Sequence, residues 1–203
     1  MGAGTNEKSE KGDARGRRPL RRGDTPFDRL LREAREAGPL RRLTGLRGAA
    51  GRVAASHLIR AHGDRPVLYV TADSRAAEAA REALQGLLGE RDGESRLRPF
   101  PRHDTLPFDR FSPQPFVVAQ RMEVLHRLDR AGDAARSGAR AADVSESDER
   151  APIVVAPASA LSLRVPTRSR LRAATVRIAI GESLDRDSLV ARLVAIGYQR
   201  MAL

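Results

Sequence analysis

Three short apolar runs, separated by segments of helical periodicity, restrict this chain more than any other feature. Residues 66–71, 97–100 and 152–156 read Pro-Val-Leu-Tyr-Val-Thr, Leu-Arg-Pro-Phe and Pro-Ile-Val-Val-Ala. They are too short for core helices, and the first and last are rich in β-branched residues, which favours strands. Continuous apolarity, as opposed to alternation, marks the first and last as buried strands. Between them, Ala72-Asp73-Ser74 opens a helix through about Leu88, with Ala77, Ala80, Leu84, Leu87 and Leu88 as its core stripe and Gly89 as its stop. A further helix runs to about Leu128 with Val118, Met122 and Leu125 on one face, and residues 158–163 form a short third. Strands alternating with helices connect in parallel, so the expected fold class is α/β, a parallel sheet with helices on both faces.

The turn ahead of these elements reads like a phosphate-binding loop stripped of its chemistry. A working loop has the form G-x-x-x-x-G-K-[ST], whose backbone N–H groups cradle phosphates while the Lys reaches the outer ones and the hydroxyl holds Mg²⁺. With Gly45 as the first glycine, Ala50 falls on the second, Gly51 on the Lys and Arg52 on the hydroxyl, and Gly48 lies between. Arg52 comes one position late, and its guanidinium is bulkier and differently directed than an ammonium. The reading is a nucleotide-binding scaffold, derived from a P-loop, that is not expected to bind or hydrolyse ATP at this site. An ordinary Gly-rich turn fits the same residues. A helix over about 50–61 follows, and Gly63-Asp64 breaks it.

Charge and composition narrow the function. Lys and Arg number 37 against 26 Asp and Glu, a formal charge of +11. That balance suits nucleic acid or acidic proteins, although Arg-rich helix surfaces also arise from a GC-rich genome. Cys is absent, which removes disulfides, thiolate metal sites and Cys nucleophiles and fits a reducing cytoplasm. His57, His62, His103 and His126 show no close ligand spacing, so no metal is expected. No apolar run of about 18 residues exists and the N-terminus lacks an apolar core, so neither a membrane span nor a secretory signal is expected. Trp is absent and aromatics make up 3%, which disfavours base-stacking platforms of the OB or RRM type.

The remaining segments set the domain plan. Residues 1–24 are a basic tail that cannot bury a core and is expected to be disordered. Thr25 caps and Pro26 opens a helix with Phe27, Leu30, Leu31 and Ala34 on one face, stopped by Gly38-Pro39. Residues 101–116 form a Pro-punctuated loop that holds three of the five Phe residues and is expected to be stiff and packed by them. Residues 131–150 read as a flexible insertion. Residues 175–180 alternate apolar and polar, as an antiparallel half-exposed strand does. Asp185 caps a helix carrying Leu189, Val190, Leu193 and Val194, ended by Gly197. The expected division is a tail at 1–24, an α/β domain at 25–166 and the start of an α+β domain at 167–203, cut short before its sheet can close.

One run is specific enough to indicate a family. Phe100-Pro101-Arg102-His103-Asp104-Thr105-Leu106-Pro107-Phe108-Asp109-Arg110-Phe111-Ser112-Pro113 resembles the F-P-x-x-E-T-L-P-Y-D-x-F-S-P segment of the bacterial transcription-repair coupling factors, with Asp104 for Glu and Phe108 for Tyr. Arg121 and Leu125, residues 153–161, Gly181-Glu182-Ser183-Leu184 and residues 193–200 continue the match in order. The resemblance implies the N-terminal module of that family, which is similar to the excinuclease subunit UvrB. That module keeps a helicase-like α/β fold without the ATP-binding residues and lacks UvrB's aromatic hairpin. Here the chain passes from Phe116 directly into a helix. The next domain of the family docks onto UvrA, with an Arg in a Y-x-R element at the interface. Tyr198-Gln199-Arg200 matches it, so Arg200 is the implied UvrA contact.

By the same resemblance the whole protein is an ATP-driven translocase on double-stranded DNA that removes stalled RNA polymerase, with ATP and Mg²⁺ held by a motor outside this segment. The segment itself is expected to be noncatalytic, with no cofactor or metal of its own and no membrane association. The alternatives are an Arg-rich nucleic-acid-binding module, which predicts salt-dependent DNA binding, and a UvrB-type or helicase ATPase. The ATPase reading needs a loop Lys and an acidic pair that the sequence lacks.

Overall fold

Residues 153–157 carry no polar side chain, and every one of them is buried. They form the middle strand of a three-stranded parallel sheet. This computed structural model describes residues 28–29, 32–33, 42–106, 108–137, 150–178 and 180–199. Contacts divide the chain into two units, Met1–Leu46 and Arg47–Leu203. In the first, Asp28, Arg29, Arg32 and Glu33 are helical, within the segment expected to be a helix, and residues 42–46 are irregular. The apolar positions Phe27, Leu30, Leu31 and Ala34, and the tail at 1–24, lie outside the described residues.

The second unit runs α1 (Ala50–His62), β1 (Val67–Thr71), α2 (Ser74–Gly89), a π-type turn (Glu90–Glu94), β2 (Leu97–Pro99), α3 (Pro115–Ser137), β3 (Ile153–Pro157), α4 (Ala158–Leu161), α5 (Arg168–Ala173) and α6 (Arg186–Ala195). The strand order is β1-β3-β2. β1 sets Val67 opposite Ile153 and Thr71 opposite Pro157, while β2 sets Leu97 opposite Ile153, all in parallel. Alternation along β3 then sorts the core. Ile153 and Val155 meet Ile59 of α1 and Ala77, Ala80, Leu84 and Leu88 of α2 on one face. Val154 and Ala156 meet Phe100, Val124 of α3 and Ala160 of α4 on the other. The α/β class with helices on both faces is therefore observed. Leu84 and Ile153 are fully enclosed, each contributing roughly 2 kcal/mol of hydrophobic free energy.

Local chemistry places the boundaries. Asp73 accepts the Ala76 N–H at 2.7 Å and starts α2, while Gly89 takes φ +71 and ends it. In the π-type turn a Cβ on Gly93 would lie 2.6 Å from the Gln85 carbonyl oxygen, so this close approach requires glycine.

Several expectations need correction. β1 is not buried on both faces: Leu68 is 53% and Val70 49% exposed. Among the described residues it is an edge strand paired with β3 alone, and its face opposite α2 lies open. The inward face of α3 runs through Val117, Arg121 and Val124, whereas Val118 is exposed and Met122 and Leu125 are half-buried. α3 also continues through Ser137, past the expected stop near Leu128 and into the expected insertion, whose residues 138–149 lie outside the described set.

Residues 175–178 form no strand. They leave the end of α5, where the Thr175 hydroxyl donates to the Leu171 carbonyl at 2.8 Å, and Ile178 is exposed. Helix α5 itself was not anticipated. Thr167 caps it by accepting the Arg170 N–H, and Leu171 is its one buried side chain. α6 begins as expected, with Asp185 accepting the Ser188 N–H at 3.0 Å, but none of its residues is buried.

Candidate functional site

The turn expected to be a degenerate nucleotide loop is built from glycines in left-handed backbone. Gly45 has φ +78 and Gly48 φ +58. Residues 42–47 are irregular, so among the described residues no strand leads into it and its derivation from a P-loop is not visible. Within Arg47–Leu203, the Ala50 N–H donates to the Arg47 carbonyl at 3.1 Å, and the Arg52 and Val53 N–H groups both donate to Ala49 at 3.0 Å. Those donors, which a phosphate cradle would aim outward, are turned into the chain. Gly51 lies in the first turn of α1 with no cation, and Arg52 reaches away to the Ala79 carbonyl at 3.5 Å.

Open parallel sheets bind ligands beyond the carboxyl ends of their strands. Here that edge holds a cavity of about 120 Å³ bordered by Ser74, Glu78, Arg81, Pro101 and Pro157. Nucleotide-sized pockets run to several hundred Å³. Glu78 is engaged by Arg81 at 2.5 Å, whose hydrogen bond lowers the carboxyl's pKa. A larger apolar groove of about 390 Å³ lies under Leu68, Val154, Leu125 and Leu161 and carries no acid or base. Among the described residues no three His, Cys, Asp or Glu side chains converge on a metal position.

The Pro-rich loop is held by its root. Arg121 is buried in α3, donates to the Pro101 carbonyl at 2.7 Å and lies 4.0 Å above the Phe100 ring. Burial lowers the Arg121 pKa. His103 beside it is lowered too, first by burial and then by the Arg121 charge, with Asp104 opposing. Its Nδ1 is buried without a partner. Asp104 accepts the Gln114 N–H at 3.1 Å, which closes the loop. The expected aromatic packing is absent: Phe108 is fully exposed and Phe111 80% exposed. Carboxylate-to-backbone bonds, not rings, give the loop its shape.

Two ion networks lay outside the sequence reading. Arg96, 1% exposed, donates to the Ala151 carbonyl at 2.7 Å, the Arg65 carbonyl at 3.0 Å and Asp92 at 3.0 Å, tying together the starts of β1, β2 and β3. On the other side, Asp129 of α3 receives Arg168 and Arg172 of α5, each at 2.6 Å. The Arg172 hydrogen bond leads in pulling the Asp129 pKa down to about 2, with Arg168 adding and burial opposing. Arg200, the implied UvrA contact, lies outside the described residues, and its neighbour Tyr198 is exposed.

Fold and site together define a class: a parallel α/β module whose candidate nucleotide turn carries no lysine. No family model and no solved structure matches it. Two curated relatives do. The chain is 34% identical over 188 residues to the transcription-repair-coupling factor of Myxococcus xanthus, covering 90% of this chain and 14% of that protein. It is 27% identical over 158 residues to the factor of the same name from Bacillus subtilis strain 168, covering 78% and 12%. The chain is a transcription-repair-coupling-factor-like protein, and it spans about one-seventh or less of the length of these relatives. Among the described residues no helix is long and apolar enough to cross a membrane.

Proposed function

We propose that this chain serves transcription-coupled DNA repair as a noncatalytic recruitment and regulatory segment of a transcription-repair coupling factor, working in the cytoplasm. In this reading a helicase-like domain has kept its α/β layer as scaffolding and given up the triphosphate. Gly51 carries the reading: it stands where a phosphate-binding Lys would, and the neighbouring Ala50 N–H is already committed to Arg47. A triphosphate offered to this turn would find no Lys at the expected place, and the Ala50, Arg52 and Val53 amides already bonded to Arg47 and Ala49. ATP, Mg²⁺ and translocation on double-stranded DNA then belong to a motor outside this segment, as does the grip on RNA polymerase.

The partner of the segment is UvrA, with Arg200 as the contact. A guanidinium makes bidentate, charge-assisted bonds to an acidic surface. In a polypeptide containing the rest of the interface, Arg200→Ala is expected to weaken UvrA binding by about tenfold or more, since losing a buried charged pair costs about 2–5 kcal/mol. The test of the noncatalytic assignment is calorimetric titration of the chain with ATP and Mg²⁺. No heat of binding is expected, and micromolar affinity would overturn the assignment.

A further inference from the structure

The Pro-rich loop displays its rings in a held geometry. Phe108 has φ +78, the one positive φ on a non-glycine among the described residues, a conformation that costs a bulky residue free energy unless its surroundings impose it. The surroundings do so here. The Leu106 N–H donates to Asp109 Oδ2 at 2.6 Å, and the Asp109 N–H returns to the Leu106 carbonyl at 3.1 Å. Asp104 closes the loop on Gln114, and Arg121 anchors its root. The strained turn brings Phe108 no packing, because its ring is wholly in solvent, with Phe111 also exposed. Both loop carboxylates, Asp104 and Asp109, accept backbone hydrogens. Arg102 and Arg110 are exposed and make no hydrogen bond or ion pair among the described residues.

We infer that this loop binds single-stranded nucleic acid, with Phe108 and Phe111 as stacking platforms for bases and Arg102 and Arg110 as phosphate contacts. A single strand offers the two chemistries the loop presents, flat π faces and a regular row of negative charge. A duplex hides the faces within its stack. An apolar protein cleft would accept the rings but leave two unpaired guanidinium groups unused, in a chain of net charge +11. The inference is independent of the recruitment reading, since it involves neither Gly51 nor Arg200.

The test is fluorescence anisotropy of a labelled oligothymidylate of about twenty nucleotides with the whole chain, at salt concentrations from about 50 to 200 mM. The wild-type chain is expected to bind it more tightly than a blunt duplex of equal length. The double variant F108A/F111A is expected to lose at least about tenfold in affinity, with its thermal unfolding midpoint unchanged because neither ring is in the core. R102A/R110A is expected to flatten the slope of log K against log salt by about 1.4, roughly 0.7 for each lost phosphate contact on a single strand. No binding by the wild type, equal binding by the ring variant, or a preference for duplex would each overturn the inference. Loss of self-association in F108A/F111A with binding intact would do so as well, and would reassign the rings to a protein contact.

Discussion

Arg121 lies 4.0 Å above the ring of Phe100 and bonds the carbonyl of the next residue, Pro101, so one buried cation fixes both the end of the β2 segment and the start of the loop beyond it. A desolvated cation–π contact contributes about 2 kcal/mol, and a carbonyl left unpaired in the interior costs about 1–3 kcal/mol. Arg121→Ala is therefore expected to lower stability by about 3 kcal/mol. Arg121→Lys should recover only part, because an ammonium lacks the planar face. Urea unfolding of the two variants measures both effects, and an unchanged midpoint for Arg121→Ala would show the stack to be idle.

Arg96 has a different task at the opposite end of the strands. Removing it leaves the Ala151 and Arg65 carbonyls without their buried donor and the Asp92 carboxylate with Arg150 as its remaining partner. Arg96→Ala is expected to cost about 3–5 kcal/mol, the usual penalty for breaking a buried charged cluster from one side. Differential scanning calorimetry should show this as a large fall in the unfolding temperature. A shift no greater than that of a surface Arg variant such as Arg75→Ala would contradict the assignment.

Acid should loosen the join between α3 and α5. The folded pKa of Asp129, about 2, lies below its ordinary value of 3.8. Its contribution is present in full above pH 3.8 and drains away as pH falls through about 2. Unfolding midpoints in urea from pH 5 down to 2 are expected to fall for the wild-type chain and to fall less for Asp129→Asn. Parallel curves would remove Asp129 from the acid response. Because Arg168 and Arg172 are half exposed, added salt should shrink the difference.

The open face of β1 separates two strands that look alike in sequence. Val155→Ser places a hydroxyl among Ile59, Leu84 and Leu88 and should cost about 3 kcal/mol. Leu68→Ser, on a side chain 53% exposed, should cost under about 1 kcal/mol. Urea midpoints distinguish the cases, and comparable losses would mean that the face around Leu68 is covered in solution.

Much of the layer was legible because its signals are local. The apolar runs at 66–71 and 152–156, the helix start at Asp73, the cap Asp185, and the stops Gly89 and Gly197 act within a few residues of their own position. What failed to show depends on neighbours. Burial of β1 depends on what covers it, and apolarity at Leu68 and Val70 does not supply the cover. Alternation at 175–178 makes a strand only where the chain runs alongside a sheet edge, and these residues leave the end of α5 without joining the β1-β3-β2 sheet. Arg96 and Arg121 carry no apolar signature, so nothing in their own chemistry marked them as interior. Only the donors and rings that converge on them do so. For the candidate sites, Gly51 in place of Lys could be read directly, whereas the displayed geometry of Phe108 could not. It depends on a hydrogen-bonded turn that inverts the backbone beneath the ring.

The sheet order has a consequence for synthesis on the ribosome. β1 and β2 leave the exit tunnel first, yet neither bonds to the other; each waits for the same late stretch, residues 153–157, to slot between them. A nascent polypeptide that has reached residue 150 holds two orphan strands and the greasy sides of three helices with nothing to close on. Assembly should then come in one step as the last strand emerges, which makes the interval between residues 100 and 157 the time at which this chain most needs a chaperone.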